Sequence, residues 1–201
     1  MIDWSEQWAL FAPNFKNGYA SITLEDGQKL RLKAGPGFGD GSHPTTKLVM
    51  ELMAPYVREK NVVDLGCGTG ILSITASLLG AKQVVGIDIC SESLIHAQEN
   101  AKENGLSLKF SKILSKGLWE VVLLNMISSE QTMAWNEQQI LHSFEGIVIS
   151  SGILASQRAA YLAQTAKKGW RCLDSKEEDG WLGFIFQVHS RHEACRSRIP
   201  S

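Results

Sequence analysis

The segment that most constrains the fold is "VVDLGCGTGIL", residues 62–72, in which an apolar run leads directly into closely spaced glycines. The run "VVDL" is typical of a buried strand, and "ILSITASLLG" is typical of a helix that ends at Gly80. A second buried run, "QVVGID", follows at once. Strand, glycine loop, helix and strand in this order predict a parallel sheet of an α/β protein, with helices on both faces.

The alternation continues through the rest of the chain. Apolar runs at "LSLKF", "WEVVLLN" and "GIVISS" predict three more strands, separated by a helix that ends at Asn104-Gly105 and a less regular helix over 128–143. A helix over 155–168 precedes "WRCLD" and "WLGFIFQV". No helix separates these last two runs, so they must form an antiparallel pair.

The first part of the chain has a different pattern. Residues 3–11 predict a short helix, and alternating apolar residues on both sides of Asp26-Gly27 predict a β-hairpin. A second glycine-rich segment, "GPGFGDGSHPTT" at 35–46, leads into a helix for which Ser42 is the expected N-cap. We predict a helix and hairpin over 1–34 packed on the core, a ligand-binding domain over 35–189 and a flexible tail over 190–201.

The bulk composition excludes several classes of protein. With 201 residues and a net charge of −1, the chain lacks the basic field that direct nucleic-acid binding requires. No apolar run approaches the ~20 residues of a membrane span, and "MIDWSEQW" has no basic region typical of a signal peptide. Four cysteines form no CxxC pair, which predicts free thiols and no metal site. We therefore expect a cytoplasmic protein.

The loop at 66–70 has the spacing of a nucleoside site. It lacks the lysine of a phosphate-binding P-loop, and Ile71 stands where a dinucleotide fingerprint has its last glycine. Asp88 ends the next strand, where a carboxylate can accept hydrogen bonds from both ribose hydroxyls. The alternative is a tight glycine turn that binds nothing. The combination of strand, GxGxG, helix, strand and terminal acid favours a nucleoside ligand.

The pattern "VVDLGCGTG" followed by "VVGID" resembles the Rossmann-like, S-adenosylmethionine-dependent methyltransferases. This resemblance implies a seven-stranded, mostly parallel sheet whose last strand is antiparallel. More specifically, "GFGDGSHPTT", "DWSEQWALFAP", "LLNMI" and "SSGILASQ" resemble segments of the ribosomal protein L11 methyltransferase (PrmA) family. The resemblance runs from about Asp3 to Val188. It implies that both glycine loops enclose one molecule of S-adenosyl-L-methionine.

Residue by residue, the resemblance implies a cofactor site and one catalytic group. Thr46 matches a threonine that contacts the cofactor, Asp88 matches the ribose acid, and Asn125 matches the catalytic asparagine at the reacting end. The full set of candidate cofactor-binding residues is Phe38, His43, Thr46, Asp64, Gly66, Gly68, Gly70, Asp88 and Asn125. His43 is either a general base or a residue that caps or packs the loop. Asp64 either orients the glycine loop or is purely structural.

The chain also departs from the family. Asp40 replaces a threonine and Met126 an isoleucine, and we expect the cofactor site to tolerate both. The separate N-terminal domain that recognises the ribosomal protein is not in this sequence, so the substrate does not follow from the resemblance. Three functions stay open: a protein-lysine methyltransferase, a methyltransferase for a small molecule or another macromolecule, and a non-catalytic cofactor-binding protein. His96, on the polar face of its predicted helix, is expected to be solvated.

Overall fold

The computed structural model describes residues 4–189, so the predicted tail over 190–201 lies outside the described residues. The helices are α1 (Trp4–Ala9), α2 (Pro44–Val57), α3 (Ile71–Leu78), α4 (Ser91–Glu103), α5 (Ser128–Glu137) and α6 (Arg158–Lys167). The strands are β1 (Tyr19–Thr23), β2 (Lys29–Lys33), β3 (Asn61–Leu65), β4 (Gln83–Ile87), β5 (Lys109–Ser111), β6 (Val121–Asn125), β7 (Gly146–Leu154), β8 (Trp170–Glu178) and β9 (Trp181–Val188).

Seven strands form one twisted sheet in the order β5-β4-β3-β6-β7-β9-β8. Strands β3 to β7 pair in parallel, whereas β9 runs antiparallel to both β7 and β8. This confirms the predicted α/β, Rossmann-like sheet with an antiparallel last strand. The predicted helix over 128–143 is divided: α5 ends at Glu137, and a 3₁₀ turn spans Gln139–Ser143.

Helices cover both faces of the sheet, and the strands supply alternate side chains to two cores. In β6, Val121 and Leu123 belong to the core beneath α2 and α3, whereas Val122 and Leu124 belong to the core beneath α5 and α6. All four are essentially inaccessible to solvent. Period-two alternation with both faces apolar is what a strand buried on two sides requires. Among residues 4–189, no helix is long and apolar enough to cross a membrane.

The β1–β2 hairpin is joined to the sheet domain by a row of polar side chains on α4. His96 Nε2 lies 2.7 Å from the Lys33 carbonyl, and Asn100 Oδ1 accepts from the Lys33 N–H at 2.8 Å. One turn further, Asn104 accepts from the Arg31 N–H at 2.8 Å and donates to the Arg31 carbonyl at 2.7 Å. The spacing i, i+4, i+8 places the three side chains on one helix face. There they form hydrogen bonds with the backbone of β2 that a neighbouring strand would otherwise form.

The expectation that His96 is solvated is therefore wrong. Its side chain is buried because the hairpin lies against α4 and covers it. Helix periodicity does not reveal this, since the contact comes from a distant part of the chain. Its second ring nitrogen, Nδ1, accepts from the Gly37 N–H at 3.2 Å. Nε2 therefore carries the proton of a neutral ring. Burial lowers the pKa of His96.

We expect the stability contributed by His96 to depend on pH. Because its pKa is lowered in the folded state, this contribution is present above pH ~6.5 and is lost as the pH falls through the lowered pKa. His96→Gln should lower the free energy of unfolding by about 1–3 kcal/mol at pH 8 and by less at pH 5.5. Urea unfolding at both pH values measures this difference.

Asn100→Ala is the matched control, since Asn100 belongs to the same row but does not titrate. It should destabilise the protein equally at both pH values. An equal cost for His96→Gln at pH 8 and pH 5.5 would contradict the assigned neutral ring.

Candidate functional site

A cavity of about 620 Å³ opens at the carboxyl ends of β3, β4 and β6. Leu65, Ile87 and Asn125 are the last residues of these strands, and all three line it. Open α/β sheets bind ligands at this edge, because loops of neighbouring strands diverge there. The cavity is therefore the candidate functional site.

The floor of the cavity is made where the two glycine-rich segments cross. The Thr69 N–H donates to the Phe38 carbonyl at 3.0 Å, and Thr69 Oγ1 donates to the Gly39 carbonyl at 2.7 Å. A Cβ on Gly37 would lie 2.7 Å from the Thr69 nitrogen, and one on Gly68 would overlap the Phe38 carbonyl oxygen. Side chains at these positions would separate the segments, so the glycines are needed here for close approach.

Asp88 directly follows β4 and is held by the backbone. Its Oδ2 accepts from the Gly68 N–H at 3.0 Å, and its Oδ1 accepts from the Cys90 N–H at 2.9 Å. The carboxylate is half-buried and lines the cavity. Each oxygen keeps a further lone pair for a ligand hydroxyl, so Asp88 is a fixed acceptor for a pair of neighbouring hydroxyl groups.

Asn125 ends β6 with one half of its amide engaged. Its Nδ2 donates to Thr46 Oγ1 at 3.1 Å, whereas its buried Oδ1 has no hydrogen-bond partner. A buried acceptor without a partner is costly and points to a missing ligand group. Thr46 thus fixes the orientation of the amide, and Oδ1 is left without a donor in a residue that lines the cavity.

His43 begins α2 as its N-cap, so the expectation that Ser42 caps this helix is wrong. Ser42 instead donates through both its N–H and its hydroxyl to Asp40 Oδ1, which forms a turn just before the helix. His43 Nδ1 accepts from the Thr45 N–H at 3.3 Å and lies 2.8 Å from Thr45 Oγ1. In a neutral ring the proton is therefore assigned to Nε2, which makes this nitrogen a donor and argues against a general base.

Three predicted site residues lie behind the cavity wall. Thr46 is fully buried beneath Asn125, and its neighbour Thr45 lines the cavity instead. Asp64 accepts from the N–H and the hydroxyl of Ser73 at 2.9 and 2.6 Å, so it ties the end of β3 to α3. Gly70 is the N-cap of α3. These three residues position the wall. The other predicted site residues do line the cavity, and their contacts with a cofactor stay a prediction: Phe38, His43, Gly66, Gly68, Asp88 and Asn125.

Several residues of the wall were not among the predicted site residues. Trp181 lies with its ring centroid 5.1 Å from that of His43, although its position on the last strand gave no sign of this. Met126 lies over Gly66, where a Cβ would overlap its methyl group. One face of α5 also lines the cavity, through Glu130, Met133, Ala134 and Glu137. Their helical spacing directly after Asn125 was the available signal.

The charges of the wall are all negative. Asp88, Glu130 and Glu137 line the cavity, and among residues 4–189 no lysine or arginine does. A pyrophosphate-bearing ligand would lack a cationic partner here, whereas a positively charged ligand is favoured. Within the same range, no group of His, Cys, Asp and Glu side chains could hold a metal ion. Cys67 is a buried free thiol, and burial raises its pKa well above the ordinary value.

The strand order, the crossed glycine segments and the acid after β4 define the Rossmann-like methyltransferase fold. A structure from Lactobacillus delbrueckii subsp. bulgaricus, "ribosomal protein L11 methylase", is similar with a TM-score of 0.68 at 26% identity, over 88% of this chain and 91% of that one. The 16S rRNA N2 G1207 methyltransferase of T. thermophilus, solved with AdoMet and guanosine, shares the fold alone. Its TM-score is 0.64 at 17% identity, over 85% of this chain and 50% of that one.

The chain belongs to the ribosomal protein L11 methyltransferase (PrmA) family, whose model matches residues 12–189. It is 33% identical over 196 residues to the ribosomal protein L11 methyltransferase of Dictyoglomus thermophilum. That alignment covers 91% of this chain and 65% of the relative. The chain therefore spans somewhat less than two thirds of the length of that relative.

The pH dependence of stability tests the role of Asp64, which ties the end of β3 to α3 behind the cavity wall. Burial raises its pKa to about 6, although the bonds from Ser73 oppose this. Its contribution to stability is therefore complete below pH ~3.9 and is lost as the pH rises through 6. Relative to Asp64→Asn, the free energy of unfolding of the wild type should fall by about 2–3 kcal/mol between pH 4 and pH 7. Urea unfolding across this range measures the slope, and parallel curves for the two proteins would contradict it.

Proposed function

We propose that this protein binds S-adenosyl-L-methionine and transfers its methyl group to an amino group of a protein, with ribosomal protein L11 as the substrate. The names of its relatives support this substrate. With a ribosomal protein as its substrate, the protein would act in the cytoplasm. The single observation that carries the proposal is the buried, unpartnered Oδ1 of Asn125 at one end of a cavity whose other end holds the fixed carboxylate of Asp88.

The residues present fit this cofactor. Asp88 offers acceptors to the two hydroxyls of a ribose, and the backbone of Gly66 and Gly68 lines the cavity beside it. Exposed Ile89 gives the wall beside Asp88 an apolar surface suited to a base. The wall carries carboxylates and, among the described residues, no lysine or arginine, which suits a sulfonium cation better than a pyrophosphate.

Bound S-adenosylmethionine supplies a methyl group on a positively charged sulfur, so that the amine lone pair forms the N–C bond while the C–S electrons go to sulfur. Asn125 Oδ1 accepts an amine N–H and aligns the nitrogen lone pair with the methyl carbon. It does so without adding a charge that would hold the amine in its protonated form. Phe38 and Trp181 give this part of the wall an apolar, aromatic surface, which disfavours the charged form of an amine beside it.

His43 has a supporting part in this scheme. Because its Nδ1 is engaged by Thr45, its Nε2–H is available as a donor to a carboxylate or carbonyl oxygen of a bound ligand. The proton released by the methylated amine passes to solvent. The Asn125 amide is held in place by Thr46 and keeps one free acceptor, as alignment of an amine requires. This argues against the alternative of a protein that binds the cofactor without catalysis.

Asn125→Ala should separate binding from transfer. It removes the aligning acceptor and leaves Asp88 and the glycine backbone in place, so cofactor affinity should stay within about tenfold of wild type while the rate falls about a hundredfold or more. Calorimetry gives the affinity, and transfer of a labelled methyl group to ribosomal protein L11 gives the rate.

Thr46→Val and Thr46→Ser provide the matched pair for this experiment. Valine removes the acceptor that orients the amide and should lower the rate, whereas serine keeps the hydroxyl and should restore most of it. Loss of cofactor binding with normal turnover at saturating cofactor in Asn125→Ala would make Asn125 an anchor only.

Asp88→Ala should weaken cofactor binding by roughly ten- to a hundredfold. Two ribose hydroxyls lose a charged acceptor, and one such bond is worth about 1.5–3 kcal/mol. Glu92→Ala is the control, since it removes a nearby exposed carboxylate of α4 that does not line the cavity. Calorimetry should show near-normal affinity for the control. Normal affinity in Asp88→Ala would refute the ribose assignment.

A further inference from the structure

A second cavity of about 520 Å³ lies beside the first. The two share Ile127, Gly152 and Trp181 as wall residues, so they are neighbours close to Asn125. We name the second cavity the side groove; its remaining walls are Ser128, Ser129, Leu154, Gln157 and Gln164. It leads from the residues next to Asn125 to the surface between the beginnings of α5 and α6.

We propose that the side groove is the docking site for the extended peptide segment whose amine is methylated. This deepens the proposed function and rests on it. An in-line displacement requires the amine to approach the methyl carbon from the side opposite the sulfur. The nucleoside end of the site is at Asp88, so the amine must enter past Asn125 from the other side, where the side groove opens.

The chemistry of the side groove matches a peptide backbone. Its walls are uncharged among residues 4–189, so a phosphate backbone would find no cation in them. The N-cap of α5 is Ile127, which has no side chain that could cap the helix. The N–H groups of Ser128 and Ser129 therefore have no acceptor within the helix and can bind peptide carbonyl oxygens.

Hydrogen bonds among its own wall residues fix the shape of the side groove. The Ser128 hydroxyl donates to Gln164 Oε1 at 3.0 Å, and Gln164 Nε2 donates to Thr132 Oγ1 at 2.9 Å, so α5 and α6 are tied together. On the opposite wall, Gln157 Oε1 accepts from the Leu154 N–H at 3.0 Å. A preformed groove with a fixed width favours an extended chain, because little ordering is needed when the peptide binds.

Ser129→Tyr tests this assignment. Ser129 is exposed in the first turn of α5, so a tyrosine there should leave the fold intact while its ring fills the groove. We expect the KM for ribosomal protein L11 to rise at least about tenfold, with an unchanged calorimetric Kd for S-adenosylmethionine. Ser107→Tyr, at an exposed serine distant from the groove, should behave as wild type, because the block is steric.

Normal KM and kcat in Ser129→Tyr would overturn the assignment of the side groove as the peptide site while leaving the proposed function intact. Tight cofactor binding by the wild type without methyl transfer to any protein would instead refute the proposed function. Labelling of RNA rather than protein, blocked by the same tyrosine, would place a nucleic-acid strand in the groove and overturn the peptide assignment.

Discussion

The site depends on the close crossing of two backbone segments. The Thr69 N–H and hydroxyl bind consecutive carbonyls of the first glycine segment, at Phe38 and Gly39, and glycines at 37 and 68 allow the contact. This crossing fixes the floor of the cavity and directs the Gly68 N–H to Asp88. A side chain at either glycine would displace one segment from the other, and with it the wall to which Asp88 and Phe38 belong.

The crossing is itself supported by α4. Asn100 connects the hairpin to the second glycine segment, since it accepts from the Lys33 N–H and donates to the Thr69 carbonyl at 2.9 Å. His96 makes the equivalent connection between Lys33 and Gly37. The hairpin is thus part of the support of the site. One row of side chains on α4 forms hydrogen bonds with backbone groups of the hairpin edge and of both glycine segments. Buried polar groups that are fully paired in this way specify a single arrangement.

Much of the fold was predictable, because strands buried on both faces and helices closed by glycine leave clear patterns. The place of Asp88 in the cavity wall was predictable, because it ends the strand that follows the glycine loop and its helix. Long-range contacts were not. His96 lies on the polar face of its helix yet is buried by the hairpin. Of the two adjacent threonines, Thr45 lines the cavity and Thr46 holds Asn125, a difference that depends on how α2 is turned. Trp181 reaches the site only because β9 runs antiparallel beside β7.

The central claim is that one cofactor spans the cavity from Asp88 to Asn125. The most direct measurement is a crystal structure of the protein with S-adenosylhomocysteine, the demethylated product. We expect both ribose hydroxyls within hydrogen-bond distance of the Asp88 carboxylate, and the sulfur directed toward Asn125 and the mouth of the side groove. A nucleoside bound elsewhere, or one bound in the cavity with its sulfur facing away from Asn125, would contradict it.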